Sequence, residues 1–136
     1  MAALQWSAYY ETGDPVVDRQ HMVLFAAIGE LHEAIKAGRG HEVVTHALVE
    51  VVRYTRSHFR DEEALMRELD YPQLAQHAIE HERLARVIMQ IAHSSESRHD
   101  LSVSLRCFDW LIAHIRAHDV PMIEYVRSRS ELQRSA

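Results

Sequence analysis

Residues 58–81 read HFRDEEALMRELDYPQLAQHAIEH, and the fold assignment depends on the pattern in this stretch. His58 and Glu62 stand four residues apart at its beginning, and His77 and His81 stand four residues apart at its end. Side chains four residues apart are neighbours on one face of an α-helix. The stretch therefore predicts two helices, each of which presents a pair of polar side chains to one site.

The helical pattern continues on both sides of this stretch. Apolar residues recur at steps of three and four, which is the period of one helical face, in four segments. The predicted helices run about 16–37, 41–68, 73–93 and 100–118. Turns are expected at Gly38-Arg39-Gly40, at Asp70-Tyr71-Pro72 and in the polar stretch 94–100. Because these connections are short, neighbouring helices should run antiparallel.

These elements predict an all-α fold, namely an up-down-up-down antiparallel four-helix bundle with an extended N-terminal arm and a short C-terminal helix. The side chains expected to pack the arm against the bundle are Trp6, Tyr9 and Tyr10. Pro121 should interrupt the fourth helix, since proline lacks the N–H that a helix interior uses. We expect a single domain over 1–136, with the arm at 1–15, the bundle at 16–120 and the C-terminal helix or tail at 121–136.

The composition argues against several classes of protein. A net charge of −5 with neutral histidines gives no basic footprint for nucleic acid. No apolar run approaches the roughly 18 residues that suggest a membrane span. The single cysteine, Cys107, fits a reducing compartment, and residues 1–14 carry no recognisable secretory signal. We therefore expect a cytoplasmic protein, with a monomer favoured.

Histidines and carboxylates occupy positions where the inner faces of the helices should be apolar. They are His21 in the first helix, His58 and Glu62 in the second, His77 and His81 in the third, and His114 and Asp119 in the fourth. An unpaired buried carboxylate costs roughly several kcal/mol, and metal coordination removes that cost. Imidazole and carboxylate ligands without thiolates favour first-row metal ions over a structural zinc site.

The number of ligands predicts two ions rather than one. Seven ligands exceed what one ion accepts, whereas two ions that share the carboxylates use them all. Two octahedral ions offer about twelve positions, and five imidazoles, two bridging carboxylates and one bridging oxygen from water leave about one position open. One of the ions should therefore be able to bind a small molecule.

The last pair of predicted ligands has an irregular spacing. His114 and Asp119 are five residues apart, which places them roughly 140° apart around an ideal helix. They can converge only if the two side chains reach around differently or the last turn deforms. Pro121 lies two residues further on and could loosen that turn.

The sequence resembles the hemerythrin family, specifically its single-domain bacterial members. The matching motifs are Asp18-Arg19-Gln20-His21, His58-Phe59-Arg60-Asp61-Glu62-Glu63, His77-Ala78-Ile79-Glu80-His81, and Trp110-Leu111-Ile112-Ala113-His114 followed by Asp119. The resemblance implies two iron ions with a bridging oxo or hydroxo group. One iron would be held by His77, His81 and His114 and the other by His21 and His58. Glu62 and Asp119 would bridge the two ions. It also implies that dioxygen binds at the open position of the iron held by the two histidines.

Residues close to these positions are candidates for supporting roles. The candidates for a dry oxygen pocket, which are equally typical of an ordinary core, are Leu24, Phe25, Phe59, Leu111 and Ile115. Asp18 or Gln20 could orient ligand histidines, whereas Asp61 and Glu63 look like solvated acidic residues. His118 should face solvent and His32 should be a buried or boundary packing residue. Surface positions are expected for His41, His46, His93 and His99, and Cys107 should be structural.

The leading functional interpretation is reversible dioxygen binding at a non-haem di-iron centre, for transport, storage or delivery to an oxygen-using enzyme. No acid–base residue is evident beside the open position, so we do not expect an enzyme. The alternatives are an oxygen or redox sensor or interaction module, and a di-iron enzyme acting on peroxide or nitric oxide. Storage or donation of iron is less favoured, because seven convergent ligands suggest tight binding.

Overall fold

The computed structural model describes residues 6–93 and 100–135, and the side chains of 6–90, 100–129, 131 and 132. The helices are α1 (Pro15–Lys36), α2 (His41–Glu68), α3 (Leu74–His93), α4 (Leu101–His114) and α5 (Val120–Ser135), with a π-helical turn at Ile115–Asp119 between the last two. A short 3-10 turn covers Ala8–Tyr10. The described residues contain no strand, so the all-α prediction is confirmed.

Local side-chain chemistry accounts for the limits of α1. The Asp14 carboxylate accepts hydrogen bonds from the N–H groups of Val16 and Val17, and Pro15 occupies the first helical position, where a missing N–H costs nothing. At the other end, Gly38 adopts a left-handed φ of 66°. This conformation lets the Arg39 N–H return to the carbonyl of Ala34 at 3.0 Å, which closes the helix end.

The turn between α2 and α3 lies where the sequence predicts it. Asp70 takes a positive φ of 53°, a conformation that aspartate tolerates better than most residues. The Tyr71 N–H then donates to the carbonyl of Met66 at 2.9 Å. From α5, the Tyr125 hydroxyl donates to the carbonyl of Leu69 at 3.2 Å, so the C-terminal helix is bonded to this turn.

The helices pack as a bundle in which α1 contacts α2 and α4, and α2 contacts α3. The buried apolar side chains form two clusters. The larger one includes Leu24, Phe25, Leu31, Leu48, Val51, Ile88, Phe108 and Leu111, and the smaller one consists of Val17, Met66, Met122, Ile123 and Val126. A layer of buried histidines and carboxylates lies along the same helices between the residues of these clusters.

The prediction that Pro121 interrupts the fourth helix is wrong. The chain continues from α4 through the π turn into α5, which has 16 residues, as many as the predicted terminal segment 121–136. In the π turn, the Val120 N–H donates to the carbonyl of Ile115, five residues back. Pro121 follows directly as the second residue of α5. Its missing N–H is accommodated there because the preceding π turn already replaces the i to i−4 backbone hydrogen bonds of an α-helix.

The N-terminal arm is only partly as predicted. Trp6 and Tyr10 pack their rings against Phe25, with centroid distances of 5.0 and 5.4 Å. Tyr9 contacts the body only from its surface: it is 71% exposed, and the guanidinium of Arg116 in the π turn lies 4.0 Å from its ring centroid. The arm also coils into the 3-10 turn instead of remaining extended, because the side chain of Ser7 caps that turn.

Asp18 attaches the arm to α1. Its carboxylate accepts hydrogen bonds from the Thr12 N–H and hydroxyl, each at 2.7 Å, and from the Gly13 N–H at 3.1 Å. Gly13 has a φ of 97°, and a Cβ there would lie 2.8 Å from the guanidinium of Arg127. The arm therefore requires glycine at this position. The prediction that Asp18 orients a ligand histidine is replaced by this structural role.

Among the described residues, no helix combines the length and the apolar character that crossing a bilayer requires.

Candidate metal centre

The seven predicted ligand residues converge inside the bundle, and each side chain is 3% exposed or less. They form two overlapping groups in which the possible ligand atoms all lie within 4.8 Å of one another. The three-histidine group contains His77, His81, His114, Glu62 and Asp119, and the two-histidine group contains His21, His58, Glu62 and Asp119. The carboxylates of Glu62 and Asp119 therefore belong to both groups.

Distances within the three-histidine group are short and similar. The Nε2 atom of His114 lies 3.3 Å from Nε2 of His77 and 3.2 Å from Nε2 of His81. Asp119 Oδ1 lies 3.0 Å from His77 Nε2 and 3.2 Å from His114 Nε2. Glu62 Oε1 completes the group at 3.1 Å from His81 Nε2.

The two-histidine group is arranged in the same way with one imidazole fewer. The Nε2 atoms of His21 and His58 are 3.0 Å apart. Asp119 faces His21 with its second oxygen, Oδ2, at 3.0 Å, while Glu62 Oε1 lies 3.3 Å from His58 Nε2. Asp119 thus directs one oxygen to each group, and Glu62 Oε1 is close to histidines of both.

The contacts between these atoms are not explained by hydrogen bonding alone. Both oxygens of Glu62 and Oδ2 of Asp119 are buried and accept no hydrogen bond, although imidazole nitrogens lie within 3.3 Å of Glu62 Oε1 and Asp119 Oδ2. Leaving buried polar atoms unsatisfied costs about 1–3 kcal/mol each. A spacing near 3 Å is the one that adjacent ligands adopt around an ion with bonds of about 2.1 Å. The donor set therefore fits metal ions.

Outer hydrogen bonds orient two of the imidazoles for this role. His58 Nδ1 donates to the side-chain carbonyl of Gln20 at 2.6 Å, and Gln20 donates in turn to Asp61 at 3.0 Å. His81 Nδ1 donates to Glu63 Oε2 at 3.0 Å. A neutral imidazole with its proton on Nδ1 keeps a lone pair on Nε2, the atom that faces the centre. Of Asp18 and Gln20, the two residues predicted to orient ligand histidines, Gln20 makes such a hydrogen bond, whereas the hydrogen bond between Glu63 and His81 was not predicted.

The π turn brings Asp119 to the site. Five residues separate His114 from Asp119, and the π turn has the i+5 repeat that places such residues one above the other. The resulting distance between His114 Nε2 and Asp119 Oδ1 is 3.2 Å. The predicted deformation of the last turn is therefore this π turn.

Burial and the facing charges shift the pKa values of the cluster in opposite directions. Burial alone would lower the pKa of His58, but the Glu62 carboxylate outweighs it and the net pKa is raised. Burial and Asp119 would raise the pKa of Glu62, yet His58 and His81 leave it lowered. Burial likewise opposes the ionised form of Asp119, but the imidazoles of His114, His21 and His77 hold its pKa well below the usual value. Without metal, the cluster thus favours the ionised carboxylates of Glu62 and Asp119 and the protonated form of His58.

A small apolar cavity lies one helical turn from the centre. Four of its lining residues, Leu24, Thr55, Leu84 and Leu111, each stand three residues from one of the histidines His21, His58, His81 and His114. Phe59 also lines it, and the cavity offers about 10 Å³ to the centre of a water-sized molecule, which is room for about one such molecule. Two other predicted pocket residues lie elsewhere: Phe25 packs against the arm, and Ile115 is buried in the larger cluster.

Cys107 forms part of the wall of this cavity. Burial raises the pKa of its thiol to about 11, an effect that the nearby charge of Arg106 offsets only partly. The thiol is therefore protonated at neutral pH, which agrees with the structural role predicted for it.

The remaining histidines are mostly where the sequence predicts them. His32 is buried, with Nδ1 2.8 Å from the Ser104 hydroxyl, and His46 is exposed. His41 is also exposed, and the side chains of His93 and His99 lie outside the described residues. His118 is only partly exposed, because its ring packs 5.1 Å from that of His114; partial burial and the neighbouring imidazoles lower its pKa.

Comparisons with known proteins agree with this arrangement. Residues 12–124 match the family described as the hemerythrin HHE cation binding domain. A bacteriohemerythrin of Pseudomonas aeruginosa is 34% identical over 135 residues, covering 97% of this chain and 88% of the relative. The bacteriohemerythrin of Stenotrophomonas maltophilia is 33% identical, and the match covers 94% of this chain and 84% of the relative. The bacteriohemerythrin of Methylococcus capsulatus is 29% identical, and the match covers 85% of this chain and 90% of the relative. The chain belongs to the hemerythrin family.

Proposed function

We propose that this chain binds dioxygen reversibly at a non-haem di-iron centre, as a carrier, store or delivery protein. In this assignment His77, His81 and His114 hold one iron and His21 and His58 hold the other. Glu62 and Asp119 bridge the two ions together with an oxo or hydroxo group. The choice of iron over other first-row metals rests on the family, whose description specifies a cation without naming the element.

The difference between the two residue groups is the observation that carries the proposal. Each group contains the same two carboxylates, but one contains three imidazoles and the other two. With a shared bridging oxygen and octahedral geometry, the first ion has a full set of about six ligands and the second has about five. The open position therefore belongs to the ion held by His21 and His58.

The protein around that position supports reversible binding rather than turnover. When bound, the iron pair supplies reversible exchange of electrons with dioxygen. The chain holds the two ions at fixed positions with seven buried ligands, and it places the apolar residues Leu24, Phe59 and Leu111 one turn from them. An apolar cavity limits access of water and protons, which promote the release of reduced oxygen species. We propose no catalytic residue.

The proposal also covers the organisation of the chain. One domain holds all seven ligands, which come from α1, α2, α3, α4 and the π turn. A cytoplasmic location and delivery of dioxygen to an oxygen-using enzyme remain predictions from the sequence.

An anaerobic optical titration tests the function. Protein with its iron counted per chain is reduced, titrated with dioxygen and then purged with argon. We expect two irons per chain and a charge-transfer band that appears with dioxygen and fades on purging. Immediate and irreversible oxidation, or a band that purging does not remove, would contradict a carrier and favour a redox enzyme or an iron-handling role.

A further inference from the structure

A surface groove between α2 and α3 brings three arginines next to a residue of the centre. The groove has a volume of about 480 Å³, and its wall includes Arg56, Arg60 and Arg67 of α2 and His81 of α3. We refer to it as the arginine groove. None of the three arginines forms an ion pair with another described side chain. This positive surface belongs to a chain whose net charge is −5.

The same wall carries two acidic residues, Glu63 and Glu82, so the three arginines leave it with a net charge of +1. Glu63 accepts the hydrogen bond from His81, and Glu82 is paired with Arg86 at 2.9 Å. Both carboxylates are bonded to residues other than the three arginines, whose guanidinium groups are exposed and therefore available to a ligand from outside. Guanidinium groups bind carboxylates through paired, charge-assisted hydrogen bonds.

The floor of the arginine groove reaches the centre directly. The ring of Phe59 stacks on the ring of His81 with a centroid distance of 3.8 Å and an interplanar angle of 6°. Nδ1 of His81 donates to Glu63, whose side chain is 28% exposed, while Nε2 of the same ring faces the centre. A single imidazole thus separates the groove from the position proposed for a metal ion.

We infer that the arginine groove is the docking site for an acidic one-electron carrier protein that keeps the centre reduced. The inference rests on the proposed function, because electron delivery has meaning only for a redox-active pair of ions. Each encounter transfers one electron, so one carrier is oxidised as one ferric ion becomes ferrous, and two encounters reduce both ions. No bond is made or broken, and the electron passes through the edge of His81.

The spread of the charges favours a protein over a small anion. Arg56 and Arg67 are eleven residues apart on one helix, which corresponds to roughly 16 Å along its axis. A single phosphate or carboxylate cannot contact both ends of such a row, whereas an acidic protein surface can. Electrostatic complementarity of this kind increases association rates and makes them depend on salt.

The test compares two triple variants of the iron-loaded chain. Arg56→Gln, Arg60→Gln and Arg67→Gln are combined in one, and Arg19→Gln, Arg39→Gln and Arg129→Gln in the other. The second set removes the same charge from three exposed positions outside the groove. The probe is an acidic plant-type ferredoxin, which is a one-electron carrier of low potential. Its affinity is measured in the oxidised state, so that binding is read without electron transfer, and its reduced form is then mixed rapidly with the oxidised chain.

We expect salt-dependent binding by the unmodified chain, weakened at least about tenfold in the groove variant and much less in the control variant. The reduction rate should fall in parallel. Absence of salt-dependent binding, or equal weakening in both variants, would overturn the inference. Displacement of the carrier by inorganic phosphate, at an ionic strength where chloride does not displace it, would overturn it in favour of a small-anion site.

A separate measurement distinguishes failure of this inference from failure of the proposed function. The groove variant is reduced chemically and exposed to dioxygen. If the reversible dioxygen band is present while ferredoxin binding is unaffected by the substitutions, only the docking site is wrong. If the band is absent in the unmodified chain as well, the proposed function fails first.

Discussion

Helix α2 and the helix formed by α4 and the π turn each supply one histidine and one shared carboxylate, but they do so with different backbones. In α2 the spacing is four residues, the helix is regular and the carboxylate is Glu62. After α4 the spacing is five residues, the backbone is a π turn and the carboxylate is Asp119. The side chain that is longer by one methylene goes with the regular helix. The position of a ligand oxygen is thus set jointly by backbone repeat and side-chain length.

Removing one of the two shared carboxylates should have the largest effect on metal binding. Glu62→Ala takes an oxygen ligand from both groups, so we expect iron content to fall from two to well below one per chain. The loaded protein should also lose the stability that binding provides, about 4 kcal/mol where metal is present at 1,000 times its Kd. Iron analysis and thermal unfolding measure both effects.

His46→Ala is the matched control, because this histidine is exposed on the same helix. It should retain its iron and its melting temperature. Equal iron content in Glu62→Ala and His46→Ala would show that the ligand assignment is wrong.

The pH dependence of stability should reverse when metal is removed. In the metal-free chain the folded pKa values of Glu62 and Asp119 lie below 4.5 and 3.8, so their stabilising effect is present above those values and is lost as pH falls further. The raised pKa of His58 gives a contribution that is present below pH 6.5 and is lost as pH rises through the folded pKa. Metal-free protein should therefore be most stable between about pH 4.5 and 6.5.

Metal-loaded protein should lose stability as pH falls through the range in which the histidines take up protons, because their protonation releases the ions, whereas the metal-free form should keep its stability down to about pH 4.5. Urea unfolding of both forms across pH tests this contrast. Infrared spectra of the carboxyl groups in the metal-free form should also show that Glu62 and Asp119 stay ionised below the usual pKa values of their side chains. Identical pH profiles with and without metal would contradict the role of the cluster.

The relation between backbone repeat and side-chain length can be tested by exchanging them. Deleting Ala117, an exposed residue of the π turn, should restore a four-residue spacing with an aspartate that is too short. Asp119→Glu should leave the π turn with a side chain that is too long. We expect each change alone to weaken metal binding at least about 10–100-fold, the loss that follows when even an outer hydrogen-bond partner of a ligand is removed.

Combining the two changes should recover most of the affinity, because the result has the histidine–glutamate spacing of α2. Competition with a metal chelator measures all three variants. If the combined variant binds no better than the weaker single variant, spacing and length do not compensate and the comparison with α2 fails.

The smallest expected effect concerns the hydrogen bonds behind the ligands. Gln20→Leu removes the acceptor that orients His58, and Glu63→Gln removes the charge on the acceptor that orients His81. We expect about tenfold weaker metal binding for the first variant and a smaller loss for the second, since glutamine retains a carbonyl acceptor. Chelator competition checks the order, and the reverse order would show that charge matters more than the hydrogen bond itself.

Much of the site follows from the sequence because spacing along one helix fixes relative direction. The pairs His58–Glu62 and His77–His81 are such cases, and the structure brings both to the centre. The partnership of His81 with Glu63 joins α3 to α2 and depends on the offset between two helices, which no spacing within either helix determines. For this reason Glu63 reads as an ordinary solvated residue in the sequence.

The N-terminal region likewise contains contacts that spacing along one helix cannot predict. Asp18 was one of two residues predicted to orient ligand histidines, but its carboxylate instead accepts hydrogen bonds from three donors of the folded arm. The continuation of the helix through Pro121 was not predicted, because proline in a helix interior usually ends the helix and the sequence does not specify the π turn that accommodates it.

The reactivity of the Cys107 thiol can report local opening of the bundle. With a pKa of about 11, the folded state holds about one thiolate in 10,000 molecules at pH 7. An oxidisable sulfur beside the cavity is thereby kept in its least reactive form. The same property means that alkylation of Cys107 must wait until the bundle opens locally. The rate of Cys107 alkylation would therefore measure how often the bundle opens locally. Comparing this rate with and without metal would show how much metal binding suppresses the opening.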